Sequence, residues 1–188
     1  MPKPEPEPVQ TSTRLLDAAL LVLGERGARD LTVRAVEDVA RVPHGSIRHH
    51  FGDRRGLLVA VFDHLERLEA GPPPTDEPRE RPTPPAADAP SDHQIDALTA
   101  LIEHWLGPGR TVSLARYELF LLAARDPTLR APLVRARERF VARAAALVGP
   151  ERAPAVVAAI DGVVLDALIR GDMDHAALRH SVAYLLDN

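Results

Sequence analysis

Between Leu31 and Leu57 five arginines (Arg34, Arg41, Arg48, Arg54, Arg55) and three histidines (His44, His49, His50) stand against Glu37, Asp38 and Asp53. Guanidinium, imidazole and the hydroxyl of Ser46 can donate to phosphate oxygens and to base edges, so this stretch has the chemistry of a duplex-DNA contact. The blander alternative is a solvated helix face, which is what most charge runs are. Metal binding fits poorly: the three histidines lack the i, i+4 spacing that sets two imidazoles side by side, and neither cysteine nor an HExxH motif is present. No Ser-His-Asp order, paired-acid motif, phosphate loop or dinucleotide fingerprint occurs, so no residue is expected to be catalytic and no cofactor is expected.

Contact with base edges needs a rigid support, and the flanking pattern supplies one. Leu15, Leu16, Ala19, Leu20 and Leu23 share one helical face before Gly27, which predicts a helix over Thr13–Arg26. Thr32 is placed to cap a second helix over Val33–Ala40, through Val33, Val36 and Ala40. Pro43 suits a first helical position, and Ile47 and Phe51 lie four apart, which predicts a short third helix over Pro43–Phe51 ended by Gly52. Asp53 caps a fourth helix, about Arg54 to Leu68, with Leu57, Leu58, Val61, Phe62 and Leu65 on its inner side. Two short helices joined by a tight turn, apolar inward and carrying His44, Ser46, Arg48, His49 and His50 outward, make a helix-turn-helix.

The whole chain of 188 residues carries a formal net charge of −4, so it is not a uniformly basic nucleic-acid binder, and the positive charge is local. Absence of cysteine is consistent with a reducing compartment. No run approaches a membrane span, and Met1–Gln10, with alternating prolines, lacks the apolar core of an export signal; a cytoplasmic location without membrane association is expected. Gly71–Pro90 holds eight prolines and no large apolar residue, which predicts a linker or draped loop. The expected organisation is a disordered tail over 1–12, a DNA-binding domain over 13–70, the proline-rich segment over 71–91 and a helical domain over 92–188.

That last block reads as helices throughout. Ile95, Leu98, Leu101, Ile102 and Trp105 form a stripe before Gly107. A helix from about Val112 to Arg125 is apolar nearly all round, as in the centre of a bundle. Asp126 and Pro127 restart the chain, while Pro132 predicts a bent or delayed start for the next helix, which ends at Gly149 and Pro150. Helices over about Ala155–Arg170, with the small residues Ala158, Ala159 and Gly162, and about Met173–Leu186 follow. Polar His104, Arg116, Glu118 and Asp161 lie in or beside apolar stripes, where an unpaired charge is costly. With Trp105, Tyr117 and Phe120, the set His104, Arg116 and Asp161 is the candidate ligand-binding surface. The aromatics taken singly read equally as core, and Arg116 with Glu118 equally as a structural ion pair or rim.

The run LLDAALLVLGERGARDLTVRAVEDVARVPHGSIRHHFGDRRGLLVAVFDHL, from Leu15, resembles the N-terminal DNA-binding domain of the TetR family of regulators. YELFLLAARDPTLRAPL from Tyr117 and IDGVVLDALIRG from Ile160 resemble the family's ligand-binding domain. The resemblance implies an all-α fold, in which an N-terminal three-helix helix-turn-helix domain precedes a C-terminal helical bundle for ligand binding and dimerisation. It implies that Thr32, Arg34 and Arg54 hold phosphates, Arg54 replacing the usual lysine, and that His44, Gly45, Ser46, Arg48 and His49 occupy recognition-helix positions. Arg41 stands where the family has the glycine of the turn, Pro43 where it has a capping serine or threonine, and Arg48 where it has tyrosine. The function implied is a transcriptional repressor on a palindromic operator, homodimeric through helices near 133–148 and 155–170, and relieved by a small-molecule effector. A binding module that has lost its operator, an activator of the same fold and a helical enzyme using histidines are the alternatives.

Overall fold

The computed structural model describes residues 8–70, 91–171 and 174–187, and among them it contains nine α-helices and no strand. They are α1 (Pro8–Arg26), α2 (Val33–Ala40), α3 (Ser46–Phe51), α4 (Arg54–Ala70), α5 (Asp92–Leu106), α6 (Arg110–Arg125), α7 (Pro127–Val148), α8 (Ala153–Arg170) and α9 (His175–Asp187). The all-α architecture expected from periodicity is therefore the one observed. The tail over 1–7 and the proline-rich segment, apart from Ser91, lie outside the described residues.

Two compact units form, one comprising residues 1–69 and 110–138, the other 70–109 and 139–188. In the first, Leu15, Ala19 and Leu23 of α1 pack with Val36 of α2, Ile47 of α3, Leu57, Leu58, Val61 and Phe62 of α4, and Ala115 and Leu119 of α6. Each fully buried Leu, Ile or Phe among these contributes roughly 1.5–3 kcal/mol, so this shared core orders α3, which is too short to be stable alone. α1 and α6 approach so closely that a Cβ on Gly24 would lie 2.1 Å from the Thr111 carbonyl oxygen. The Glu118 carboxylate accepts the Ala28 N–H just past the end of α1, at 3.0 Å.

Local chemistry explains most helix ends. Gly27, at φ +78°, donates its N–H to the Leu23 carbonyl and closes α1. Thr32 Oγ1 accepts from Ala35 N at 3.1 Å and Asp53 Oδ1 from Gly56 N at 2.8 Å, so both expected caps are made. α1 nevertheless begins at Pro8, so residues 8–12 belong to a helix and not to the expected tail. Pro132 neither delays nor ends α7, which starts at Pro127. Asp126 Oδ1 accepts from Thr128 N at 2.9 Å, and that helix start is already fixed five residues before the second proline. Pro132 has no N–H for the Thr128 carbonyl, which Arg55 Nη2 approaches instead at 3.5 Å.

In the second unit Ile95, Ile102 and Trp105 of α5, Val156, Ile160 and Val164 of α8, and Leu178 and Val182 of α9 are buried. Ser91 and Gln94 make a capping box at the start of α5. Arg179 of α9 reaches Asp96 and Asp92 of α5, both at 2.7 Å, and His175 Nδ1 meets Glu103 Oε1 at 2.5 Å. Arg152 Nη2 donates to the Leu185 and Leu186 carbonyls and satisfies the end of α9.

Candidate nucleic-acid interface

The segment joining α2 to α3 is held from α1 and from α2. Arg41 takes a left-handed conformation, φ 54° and ψ 48°, and its N–H returns to the Asp38 and Glu37 carbonyls. A side chain is disfavoured there by contact of its Cβ with the following carbonyl oxygen. Arg14 of α1 reaches across with Nη2, donating to the Ala40 carbonyl at 2.5 Å and the Arg41 carbonyl at 3.1 Å. The arginine in the glycine position thus keeps the tight turn, with a second arginine gripping the carbonyls on either side.

Helix α3 starts at Ser46, not at Pro43. Pro43 stays in the turn, where its carbonyl accepts from Ser46 N at 3.2 Å and Ser46 Oγ at 2.6 Å. Gly45, at φ +94°, is in a conformation that breaks the helix, so it serves as the N-cap without a side chain to cap with. His44 and Gly45 therefore belong to the turn, and only Ser46, Arg48 and His49 of the expected recognition set lie on the helix.

Sequence reasoning treated Glu37 only as counter-charge, and the structure gives it a larger part. It is 2% exposed. Its Oε1 accepts from the Gly45 and Ile47 N–H groups, both at 3.0 Å, and its Oε2 lies 3.3 Å from His44 Nδ1. A signal was present: Glu37 falls on the same side of α2 as Val33, Val36 and Ala40, and a carboxylate in an apolar stripe needs a partner. Arg14, also missed, carries no comparable mark because its partners are carbonyls 26 and 27 residues away.

Across α3 the side chains divide. Ile47 is fully buried in the first unit's core, whereas Arg48 and His49 are exposed. His49 and His50 meet edge to face at 4.9 Å. Arg34 is open, with only a long 3.9 Å approach to Asp38. Arg54 Nε donates to the Leu31 carbonyl at 2.8 Å, bringing the start of α4 to the residue before Thr32. Thr32, Arg34 and Arg54 are thus gathered by the start of α2, and the turn of His44–Gly45 leads into Ser46, Arg48 and His49.

With this geometry in place, comparison with known proteins is decisive. Residues 15–61 match the family described as bacterial regulatory proteins, tetR family, and residues 89–188 match the tetracyclin repressor-like C-terminal domain. The chain belongs to the TetR family. It is a DNA-binding transcriptional regulator by family, and the family is not enzymatic. It is 32% identical to the multidrug binding protein EbrR, solved in complex with imidazole, covering 97% of this chain and 96% of that one at a TM-score of 0.67. A TetR-family member from Streptomyces coelicolor A3 is 33% identical over 96% of this chain and 98% of its own, with a TM-score of 0.70. The HTH-type transcriptional regulator BetI of Brucella anthropi is 37% identical over 86 residues, 43% of this chain and 44% of BetI. The match thus spans less than half the length of that curated relative.

The candidate ligand residues divide between the units. In the first, Arg116 is buried and pairs with Glu69 of α4 at 2.5 Å, and Tyr117 stands edge to face with Phe120 at 6.0 Å. Arg137 lies over the Phe120 ring at 5.4 Å. Arg116 and Glu118 are not paired with each other: their partners are Glu69 and the Ala28 N–H. In the second, Trp105 is buried with its ring 6.4 Å from Phe140, His104 is exposed and Asp161 half-buried. No helix among the described residues is long and apolar enough to cross a membrane.

Proposed function

We propose that this protein is a sequence-specific transcriptional repressor that binds a palindromic operator as a homodimer and is released by a small-molecule effector. The observation that carries the reading is the division of α3, with Ile47 sealed in the core and Arg48 and His49 open beside a firmly held turn. Thr32, Arg34 and Arg54 take phosphates at the start of α2, and His44, Gly45, Ser46, Arg48 and His49 face the bases. Such a division of labour fixes register through the backbone and leaves sequence to the groove. Arg48, in place of the family's tyrosine, donates twice to one guanine edge.

Dimerisation through the helices near 133–148 and 155–170 is supported by α8. Its Ala155, Ala158, Gly162, Leu165 and Ile169 are all exposed and recur at helical spacing, Ile169 being 75% exposed. A Cβ at Gly162 would meet nothing within 4 Å, which leaves room for a second helix to approach. Two copies set half-sites about 34–36 Å apart or a multiple of it. Such a regulator acts in the cytoplasm, where its operator is.

For the effector, structures of EbrR in complex with proflavin, ethidium and malachite green support an aromatic cation. The candidate contacts are, each set taken by itself, Arg116, Tyr117 and Phe120 of the first unit, where a ligand that recruits Arg116 must compete with Glu69, and His104, Trp105 and Asp161 of the second. To move the dimer from 1:99 to 99:1 in favour of the released spacing, it must prefer that form by about 5.5 kcal/mol. Helix α4, which joins the DNA-binding segment to the chain leading into α5, carries the change.

Footprinting on the DNA flanking the protein's own gene tests the reading. A protected palindrome with half-sites one helical turn or a whole multiple of it apart, lost on adding malachite green, is the expected result. Protection absent on every flanking fragment removes the repressor reading. Because intercalating dyes bind DNA themselves, effector binding is scored separately by melting the protein alone, where a ligand at 100 times its Kd adds about 2.7 kcal/mol.

A further inference from the structure

We infer that Glu37 is a positioning residue for DNA recognition: its buried carboxylate on α2, together with the Ile47 anchor in the core, sets the pose of the start of the recognition helix and of His44. The inference rests on the DNA-binding reading above and adds a residue to it.

Helix α3 has six residues, and Ile47 is the one buried among them, with Phe51 half-buried. That packing anchors the helix through Ile47 in its first turn but supplies no acceptor for the N–H groups there. That first turn is where a helix-turn-helix meets the bases. The Ser46 N–H finds the Pro43 carbonyl at 3.2 Å, but the Gly45 and Ile47 N–H groups get no local side-chain cap, because the N-cap is a glycine and the Ser46 hydroxyl donates to the Pro43 carbonyl at 2.6 Å. Glu37 fills that role from the neighbouring helix. One oxygen, Oε1, takes both the Gly45 and the Ile47 N–H at 3.0 Å. The Glu37 backbone carbonyl takes the Val42 N–H at 3.2 Å, so a single residue holds both ends of the turn.

The second oxygen acts on a proposed DNA contact. Oε2 lies 3.3 Å from His44 Nδ1, while His44 Nε2 stands 3.7 Å from Asp38 Oδ1 and the ring remains 61% exposed. Both ring nitrogens therefore face carboxylates of α2, the closer being Glu37, while most of the ring surface stays open. α2 is itself fixed by Val36 and Ala40 in the core. A side chain rooted there transmits the position of the protein body to the reading end of α3. A buried carboxylate is retained only where its oxygens are used in this way.

The test compares wild type, Glu37→Met and Glu37→Gln on two duplexes of equal length. One is the best-enriched member of a random library selected with wild-type protein, and the other is its scramble. Met keeps the volume without the acceptor, whereas Gln keeps an acceptor oxygen for the two N–H groups. Glu37→Met is expected to fold with wild-type circular dichroism and to bind the scramble within about threefold of wild type. Its affinity for the selected duplex should fall about tenfold or more, the scale of one lost base contact. Glu37→Gln is expected to restore selected-duplex binding to within about threefold of wild type. The proposal is overturned if Glu37→Met keeps the wild-type ratio of selected to scrambled affinity, if Glu37→Gln loses as much as Met, or if Glu37→Met does not fold. Failure of wild-type protein to enrich any duplex sinks the DNA-binding reading itself, and is seen before a variant is made.

Discussion

Replacing Arg41 by glycine should make the protein more stable, although it removes a side chain from the turn that carries recognition. Arg41 is the one non-glycine residue with positive φ among the described residues, at φ 54°. Holding an L-residue there costs about 1–2 kcal/mol, because its Cβ crowds the next carbonyl. Glycine removes that cost but loses roughly 0.5–1 kcal/mol more backbone entropy on folding. The Arg14 hydrogen bonds end on the Ala40 and Arg41 carbonyls, which the substitution leaves in place. The net gain is therefore about 0.5–1 kcal/mol, which for a chain of this size raises Tm by about 1–4 °C. Arg41→Ala is the control: it deletes the exposed guanidinium but keeps the Cβ, and should change stability by less than about 0.5 kcal/mol. Urea unfolding followed by circular dichroism measures all three proteins. If glycine is no more stable than alanine, backbone strain is not what distinguishes this turn, and the account of how Arg14 and Arg41 hold it fails.

Other substitutions probe separate parts of the molecule. Arg48→Ala should lose about 1–3 kcal/mol of discrimination at one base pair while keeping most non-specific affinity, measured against single-position operator variants; full retention of sequence preference removes Arg48 from the base contacts. Gly24→Ala should destabilise by about 1–3 kcal/mol or more in denaturant, since its Cβ would meet the Thr111 backbone oxygen at 2.1 Å; a neutral result would mean α1 and α6 are not so closely packed. Arg116→Met leaves the Glu69 carboxylate without its 2.5 Å partner, and breaking such a buried pair costs about 3–5 kcal/mol. Chemical denaturation reads this, and a loss below about 1 kcal/mol contradicts the pairing. His175 is held above the ordinary histidine value, first by its hydrogen bond to Glu103 and then by that carboxylate's charge. Its folded form binds the proton more tightly, so its contribution to stability is full below the unfolded pKa and is lost as pH rises through the folded one. NMR titration should show the elevated value in wild type and a fall towards normal in Glu103→Gln.

The helices were legible because their signals are local. Apolar spacing of three and four residues marks α2 and α4, and Thr32, Asp53 and Gly27 mark ends through bonds made within a few residues. Proline at Pro43 carried a misleading local preference: it suits a first helical turn, but Gly45 two residues later adopts φ +94° and postpones the helix to Ser46. Packing of α1 on α6 left no such trace, because Gly24 and Thr111 are remote in sequence and nothing in either residue names the other.

The departures at the turn show why local reading stops there. An arginine in place of the turn's glycine and a proline in place of its capping hydroxyl each suggest a damaged helix-turn-helix when taken alone. Each is answered from a different helix, Arg41 by Arg14 of α1 and the missing cap at Pro43 by Glu37 of α2. These compensations are hydrogen bonds to backbone groups, which any side chain of the right reach can make, so they impose no pattern on neighbouring residues. What remains readable is the buried carboxylate itself. A charge on the inner side of a short helix beside a turn that lacks its own cap identifies a capping residue supplied from outside.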